Sequence, residues 1–198
     1  MTRTRLAAGL AALLALTPAS HSLARMQQPP SHNTGAAGAT GYHAEPVTVG
    51  LGTEARAVLK GADPKLTASF KLTQEAKGVH IVGDVAGATP GKHGLTIRAK
   101  GLCAAPFTNV GPTFDPYQVP HGCPPNAVRA LGDLGNVEIK ADGKGHFDQV
   151  IDKISLVDPH HLVVGKAMTL QAAEDDCKTP APGTSGAPIA CGVITLAK

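Results

Sequence analysis

The chain has no tryptophan, and its aromatic side chains are limited to two tyrosines and four phenylalanines in 198 residues. That scarcity argues against helices packed through large side chains. Charged residues make up only 17%, and the lysines and arginines are scattered rather than gathered into a stripe interleaved with aromatics. Such a distribution gives no support to nucleic-acid binding. Long apolar runs are also missing: the run from Leu6 to Leu16 is too short to anchor the chain in a bilayer, and no later segment approaches that length. What is abundant is glycine, at 23, and proline, at 16. Together with 42% hydrophobic content, this composition predicts one all-β domain of short strands and many turns, large enough to bury its own core.

The N-terminus has the form of an export signal. Arg3 and Arg5 precede the apolar run, and Ser22-Leu23-Ala24 has the small-x-small pattern of a signal-peptidase site. Residues 1–24 are read as a signal peptide, which leaves no membrane anchor after cleavage and predicts a periplasmic or secreted protein. Removing them takes away two arginines and no acid, lowering the formal charge from +3 by two, to +1. Residues 25–45, with Gln27-Gln28-Pro29-Pro30 and Gly35-Ala36-Ala37-Gly38, are too poor in large apolar groups to order themselves and are read as a flexible leader. The domain is assigned to residues 46–198.

Within it the apolar period is two. Leu66, Ala68, Phe70 and Leu72 alternate with Thr67, Ser69 and Lys71, and Val79, Ile81 and Val85 alternate around His80 and Asp84. This is the pattern of half-buried antiparallel strands. Further strands are predicted near 134–140, 146–155, 162–171 and 189–197, with turns at Ala88-Thr89-Pro90-Gly91, Ala141-Asp142-Gly143-Lys144 and Val157-Asp158-Pro159. Two long intervals, Leu102 to Leu131 and Ala172 to Pro188, lack alternation and are read as functional loops. These observations reach a sandwich or barrel without choosing between them. The segment Gly87-Ala88-Thr89-Pro90-Gly91-Lys92 fails the phosphate-loop spacing and is a turn. No serine or cysteine is marked by spacing as an activated nucleophile.

Four segments carry a resemblance. Ala57-Val58-Leu59-Lys60-Gly61, Gly91-Lys92-His93-Gly94-Leu95-Thr96-Ile97-Arg98, Gly132-Asp133-Leu134-Gly135-Asn136-Val137 and Ile189-Ala190-Cys191-Gly192-Val193-Ile194, in that order, resemble the copper/zinc superoxide dismutase family. The resemblance implies an eight-stranded Greek-key barrel or sandwich with two long loops, the first binding zinc and the second guiding superoxide. It also marks this chain as a divergent member. The family's copper strand carries two histidines two residues apart; Thr96 and Arg98 stand there instead, on the outward phase opposite Leu95 and Ile97. Thr113, in Gly111-Pro112-Thr113-Phe114-Asp115-Pro116, holds the place of the histidine that bridges copper and zinc, and Gln171 the place of the last copper histidine. Hydroxyl and amide groups are poor substitutes for imidazole, and a guanidinium has no lone pair to donate. Copper is therefore not expected.

Zinc keeps two implied ligands, His121 and Asp133, while Ala130 stands at a third position and Thr113 at the fourth. A weak zinc site is the most these two allow. The family's substrate-guiding arginine falls at Pro188, and His93 matches a structural histidine. His160 and His161 are read as solvent-facing. Four cysteines permit three pairings; the resemblance implies Cys103–Cys191, which leaves Cys123 and Cys177. These two are assigned to a second disulfide that staples the corner where Asp175 of the second loop reaches His121. The competing reading makes them thiolate ligands beside His121 and Asp133.

The functional expectation is an exported, non-catalytic binding or structural module with no catalytic residues and no cofactor, its partner an unknown protein or a small anion. The alternative is superoxide dismutation through a metal held otherwise, by the leader histidines His32 and His43 or by His121 with carboxylates.

Overall fold

Side chains alternate between core and exterior along the strands of the computed structural model, which describes residues 50, 52–180 and 183–198. The signal peptide and the leader lie outside the described residues. Eight strands, β1 Glu54–Gly61, β2 Thr67–Glu75, β3 Gly78–Ala86, β4 Gly91–Arg98, β5 Asp133–Ile139, β6 Lys144–Ile151, β7 Ala167–Gln171 and β8 Pro188–Val193, are followed by a two-residue β9, Thr195–Leu196. The order is β2-β3-β6-β5-β4-β7-β8-β1-β9, and β1 also pairs with β2. That pairing closes the eight strands into a ring, with crossing connections from β3 to β4 and from β6 to β7, and leaves no long free edge. Every strand pairing is antiparallel.

The barrel is filled from inward positions two residues apart, as the period-two pattern requires. Phe70 of β2 and Phe147 of β6 meet edge to face at 6.4 Å, and Leu59, Leu72, Ile81, Leu95, Ile97, Leu134 and Leu170 are almost wholly buried around them. Each such side chain contributes on the order of 1.5–3 kcal/mol on leaving water. Two phenylalanines, a methionine, branched aliphatics and small residues fill the core without tryptophan.

The two predicted long loops are present, between β4 and β5 and between β7 and β8. The segment 152–166 differs from expectation. Strands predicted to run to 155 and from 162 stop at Ile151 and begin at Ala167. Ile154, Leu156 and Val163 are buried, yet the segment is held by an isolated parallel bridge, with Ser155 N donating to His161 O and Val163 N to Ser155 O, and by side chains rather than by a ladder. Gln74 Oε1 accepts from Ser155 Oγ at 3.0 Å and from Leu156 N at 2.7 Å, and Ser155 Oγ accepts from the amides of Val157 and Asp158. His161 also departs from the sequence reading: it is half-buried, between Asp158 at 2.9 Å and the Tyr117 hydroxyl at 3.0 Å, whereas His160 is exposed.

Candidate functional site

One row of residues crosses the sheet beneath the long loops. Asp133 of β5 pairs with Thr96 of β4, Thr96 with Thr169 of β7, and Thr169 with Cys191 of β8. Directly paired residues project to the same face, and Leu95 and Ile97, between them in phase, are in the core. The row therefore lies on the outside of the barrel wall, where it is roofed by loop: Thr96 is only 5% exposed.

The first loop is stitched along the end of β4. Ala99 N donates to Pro112 O and Phe114 N to Ile97 O, Arg98 and Thr113 form an isolated bridge, and Ile97 N donates to Gly132 O. Gly132 is required by this closeness, because a Cβ there would stand 2.2 Å from Ile97 O. The second loop is tied by Gly94 N to Ala173 O and by a reciprocal pair: Asn136 Nδ2 donates to Asp175 O and Asp175 N to Asn136 Oδ1, both at 2.8 Å. Two disulfides complete the roof. Cys103–Cys191 joins the first loop to β8, and Cys123–Cys177 joins the two loops to each other. Both pairings agree with the sequence reading and leave no thiolates among the described residues.

The loops and the row enclose a cleft of about 360 Å³ whose walls include Thr96, Arg98, Thr113, His121, Asp133, Asp175 and Ser185. Six positions singled out in the sequence, Asp175 among them, thus converge. Ala130 lines a neighbouring cleft with Thr113, His121 and Asp133. Pro188 lies at a further cleft that shares Arg98, Gly111 and Gly183 with the first. Gln171 is not on the cleft wall. It is fully buried, its Nε2 donates to Thr169 Oγ1 at 2.8 Å, and its Oε1 has no partner among the described residues.

His121 is bracketed by acids. Nδ1 lies 3.0 Å from Asp133 Oδ2 and Nε2 lies 2.8 Å from Asp175 Oδ1, with the His121 side chain 11% exposed. Burial draws its pKa down, but hydrogen bonding to Asp175 and the charges of Asp133 and Asp175 outweigh it, so the imidazole is held above its ordinary 6.5. Burial pushes the Asp133 carboxyl above its ordinary 3.8, against the His121 charge and the amides of Gly122 and Ala130. A protonated ring donating from both nitrogens satisfies this geometry.

Arg98 is anchored differently. Its Nε donates to Thr169 Oγ1 at 3.2 Å, and that hydroxyl donates onward to Thr96 O at 3.2 Å. Nη1 and Nη2 have no hydrogen-bond or ion-pair partner among the described residues. Burial pulls the Arg98 pKa down and Asp133 pulls it back up; the group remains a cation. His93, 2% exposed, holds the start of β4, its Nδ1 at 2.8 Å from Gln171 O and its Nε2 at 2.9 Å from Thr89 O.

Sequence reasoning missed Thr169, Ser185 and Asn136 as parts of the site. Asn136 stood inside a quoted segment, three residues after Asp133, so a signal for it existed. Thr169 shows only as a polar residue between the buried Met168 and Leu170, and Ser185 lies in a loop without pattern.

The comparisons with known proteins agree with this architecture. The model of the copper/zinc superoxide dismutase family matches residues 66–194. The chain is 32% identical over 155 residues to Cu-Zn superoxide dismutase of Onchocerca volvulus, covering 74% of this chain and 98% of that one. It is 29% identical over 149 residues to extracellular Cu-Zn superoxide dismutase of Brugia pahangi, covering 71% and 74%. Among solved structures, the crystal structure of the clock protein EA4 superposes with a TM-score of 0.67 at 34% identity, covering 73% of this chain and 95% of that one. With its closed eight-stranded barrel and two disulfide-tied loops, the chain belongs to the copper/zinc superoxide dismutase family.

Proposed function

We propose that the chain is an exported, non-catalytic member of its family, its barrel serving as a binding or structural module. The observation that carries this reading is the donor set of the cleft. Where the family resemblance sets copper ligands, the wall offers the hydroxyls of Thr96 and Thr113 and the guanidinium of Arg98, while Gln171 is buried behind it bonded to Thr169. Copper requires unprotonated nitrogen donors that suit both of its oxidation states. These residues do not fit it, and a fixed cation at Arg98 opposes any cation beside it.

Zinc fits little better. A structural site takes four donors; of the positions the resemblance implies, His121 and Asp133 supply two, and the close group His121, Asp175 and Asp176 offers three. Both nitrogens of His121 already face carboxylates, and Cys123 and Cys177 are joined to each other. The disulfide and the His121 bracket link the two loops without an ion. Export is supported by the N-terminal segment, by two disulfides of the kind that persist in oxidising compartments, and by the extracellular name of the Brugia pahangi relative. The protein is periplasmic or secreted, and its partner is a protein or a small anion.

One observation favours a second reading. His121, Asp133 and Asp175 converge on one cleft, and the relatives are named as superoxide dismutases, so dismutation through an atypical metal site is the competing function. Superoxide consumption by the mature protein, purified after growth with copper and zinc supplied, separates the two. The expected result is no consumption beyond the protein-free rate; sustained catalytic consumption refutes the non-catalytic reading.

A further inference from the structure

The cleft wall holds hydrogen-bond donors without acceptors. Arg98 is fixed at one end only: its Nε is spent on Thr169 Oγ1, a hydroxyl that also accepts from the buried Gln171 Nε2 and donates to Thr96 O. With two donors received and one given, Thr169 is fully used and holds the guanidinium in one orientation. The other edge of the guanidinium, Nη1 and Nη2, is unmatched among the described residues. So are the hydroxyls of Thr96, Thr113 and Ser185, which line the same cleft, although Thr96 and Ser185 are only 5% and 6% exposed. Among the described residues the buried side-chain polar atoms without a partner are Arg129 Nε and Gln171 Oε1, so these cleft donors reach solvent, and an arriving acceptor exchanges with water there.

The carboxylates of the cleft do not fill that role. Asp133 Oδ2 accepts from His121, from Gly122 N at 3.2 Å and from Ala130 N at 3.3 Å, and Asp175 Oδ1 accepts from His121 and from Cys177 N at 2.8 Å. Arg98 also borders the further cleft at Pro188, whose lining includes Phe107 and Val110, so the space beside the guanidinium is apolar on one side and rich in hydroxyls on the other.

We propose that this cleft binds a small oxoanion, a carboxylate or phosphate group, whose oxygens take the Nη edge of Arg98 and the hydroxyls of Thr96 and Thr113. The inference rests on the non-catalytic reading, since it requires the ion to occupy space beside a guanidinium rather than beside a metal. A planar fork meeting a carboxylate or phosphate edge makes two charge-assisted bonds, and a cleft of about 360 Å³ admits such a group with a small body attached.

The test is a titration of the mature protein with sodium acetate and, separately, inorganic phosphate, against sodium chloride at matched ionic strength. The readout is the Arg98 Nε–Hε resonance together with the amides of Thr96 and Thr113. The expected result is saturable binding of one or both oxoanions, weakened about tenfold or more in Arg98→Gln, as loss of a charged hydrogen-bonding pair implies, and less in Thr113→Val. Saturation by acetate alone identifies a carboxylate site and by phosphate alone a phosphate site. Thermal melts of each variant establish that it is folded; should Arg98→Gln fail to fold, Thr113→Val and Arg98→Lys, which keeps the charge without the fork, carry the comparison. Absence of saturable binding by either ion, or binding unchanged in the folded variants, overturns the proposal. Copper content and superoxide consumption of the same samples keep the two claims apart: a metal-loaded, active sample sinks the underlying reading, and an inert, metal-free sample that binds no oxoanion sinks only this one.

Discussion

His121 is the side chain on which the corner between the loops turns. Its folded pKa lies above its ordinary 6.5, so its contribution to stability is fully present below about pH 6.5 and is lost as pH rises through the folded value. Asp133, also raised above its ordinary 3.8, acts with the same sign in a lower window: between 3.8 and its folded value, raising the pH also destabilises. The melting temperature of the protein is therefore expected to fall as pH climbs from about 6 upward, and His121→Gln to lose most of that slope. The same variant is expected to lose about 3 kcal/mol near neutral pH, because it leaves two buried carboxylates facing no cation. Zinc bound at His121 would reverse the slope, since it requires the deprotonated ring; thermal melts across pH with and without chelator distinguish the two. Arg98 is the other decisive side chain. Its identity and outward phase were legible from the alternation around Leu95 and Ile97. Its anchor at Thr169 was not, because the two residues are far apart in sequence and meet only once β7 pairs with β4.

Strand β4 and the two loops that roof it form the working unit. The alternation along β4, β2 and β3 could be read directly, because each strand has one face in the core. The ends of β6 and β7 could not. Buried Ile154, Leu156 and Val163 look like continued strand, but Gln74, brought beside Ser155 across 81 positions of sequence, takes the Leu156 amide, and the Val163 amide goes to Ser155 O in an isolated bridge. The pairing Cys123–Cys177 closes 54 residues, and in the chain-entropy model this is worth about 4 kcal/mol. Replacing both cysteines with serine is expected to lower stability by about that amount in denaturant melts. The amides of Asp175 and Cys177 should also exchange faster than those of β4, since the second loop would then be tied by Asn136, Gly94 and the His121 bracket. Gly132→Ala tests the first loop. The added Cβ collides with Ile97 O, and a loss of about 1–3 kcal/mol or more is expected from the displaced backbone; an unaffected melting curve would mean that the loop does not bear on β4 as described.

The barrel as a unit was the most legible level of all, since composition, period-two alternation and four ordered segments converge on it. The function of the cleft was less so, because it depends on what the wall offers rather than on the fold that carries it. The scaffold supports the loops through covalent and hydrogen-bonded ties, and the proposed function requires that its outer wall does not hold a redox ion. The most direct test is the copper retained per chain, by mass spectrometry, after the mature protein is incubated with equimolar copper and zinc salts and dialysed exhaustively. The account expects far less than one copper per chain; close to one copper per chain, with nitrogen couplings in its Cu(II) spin-resonance spectrum, would contradict it.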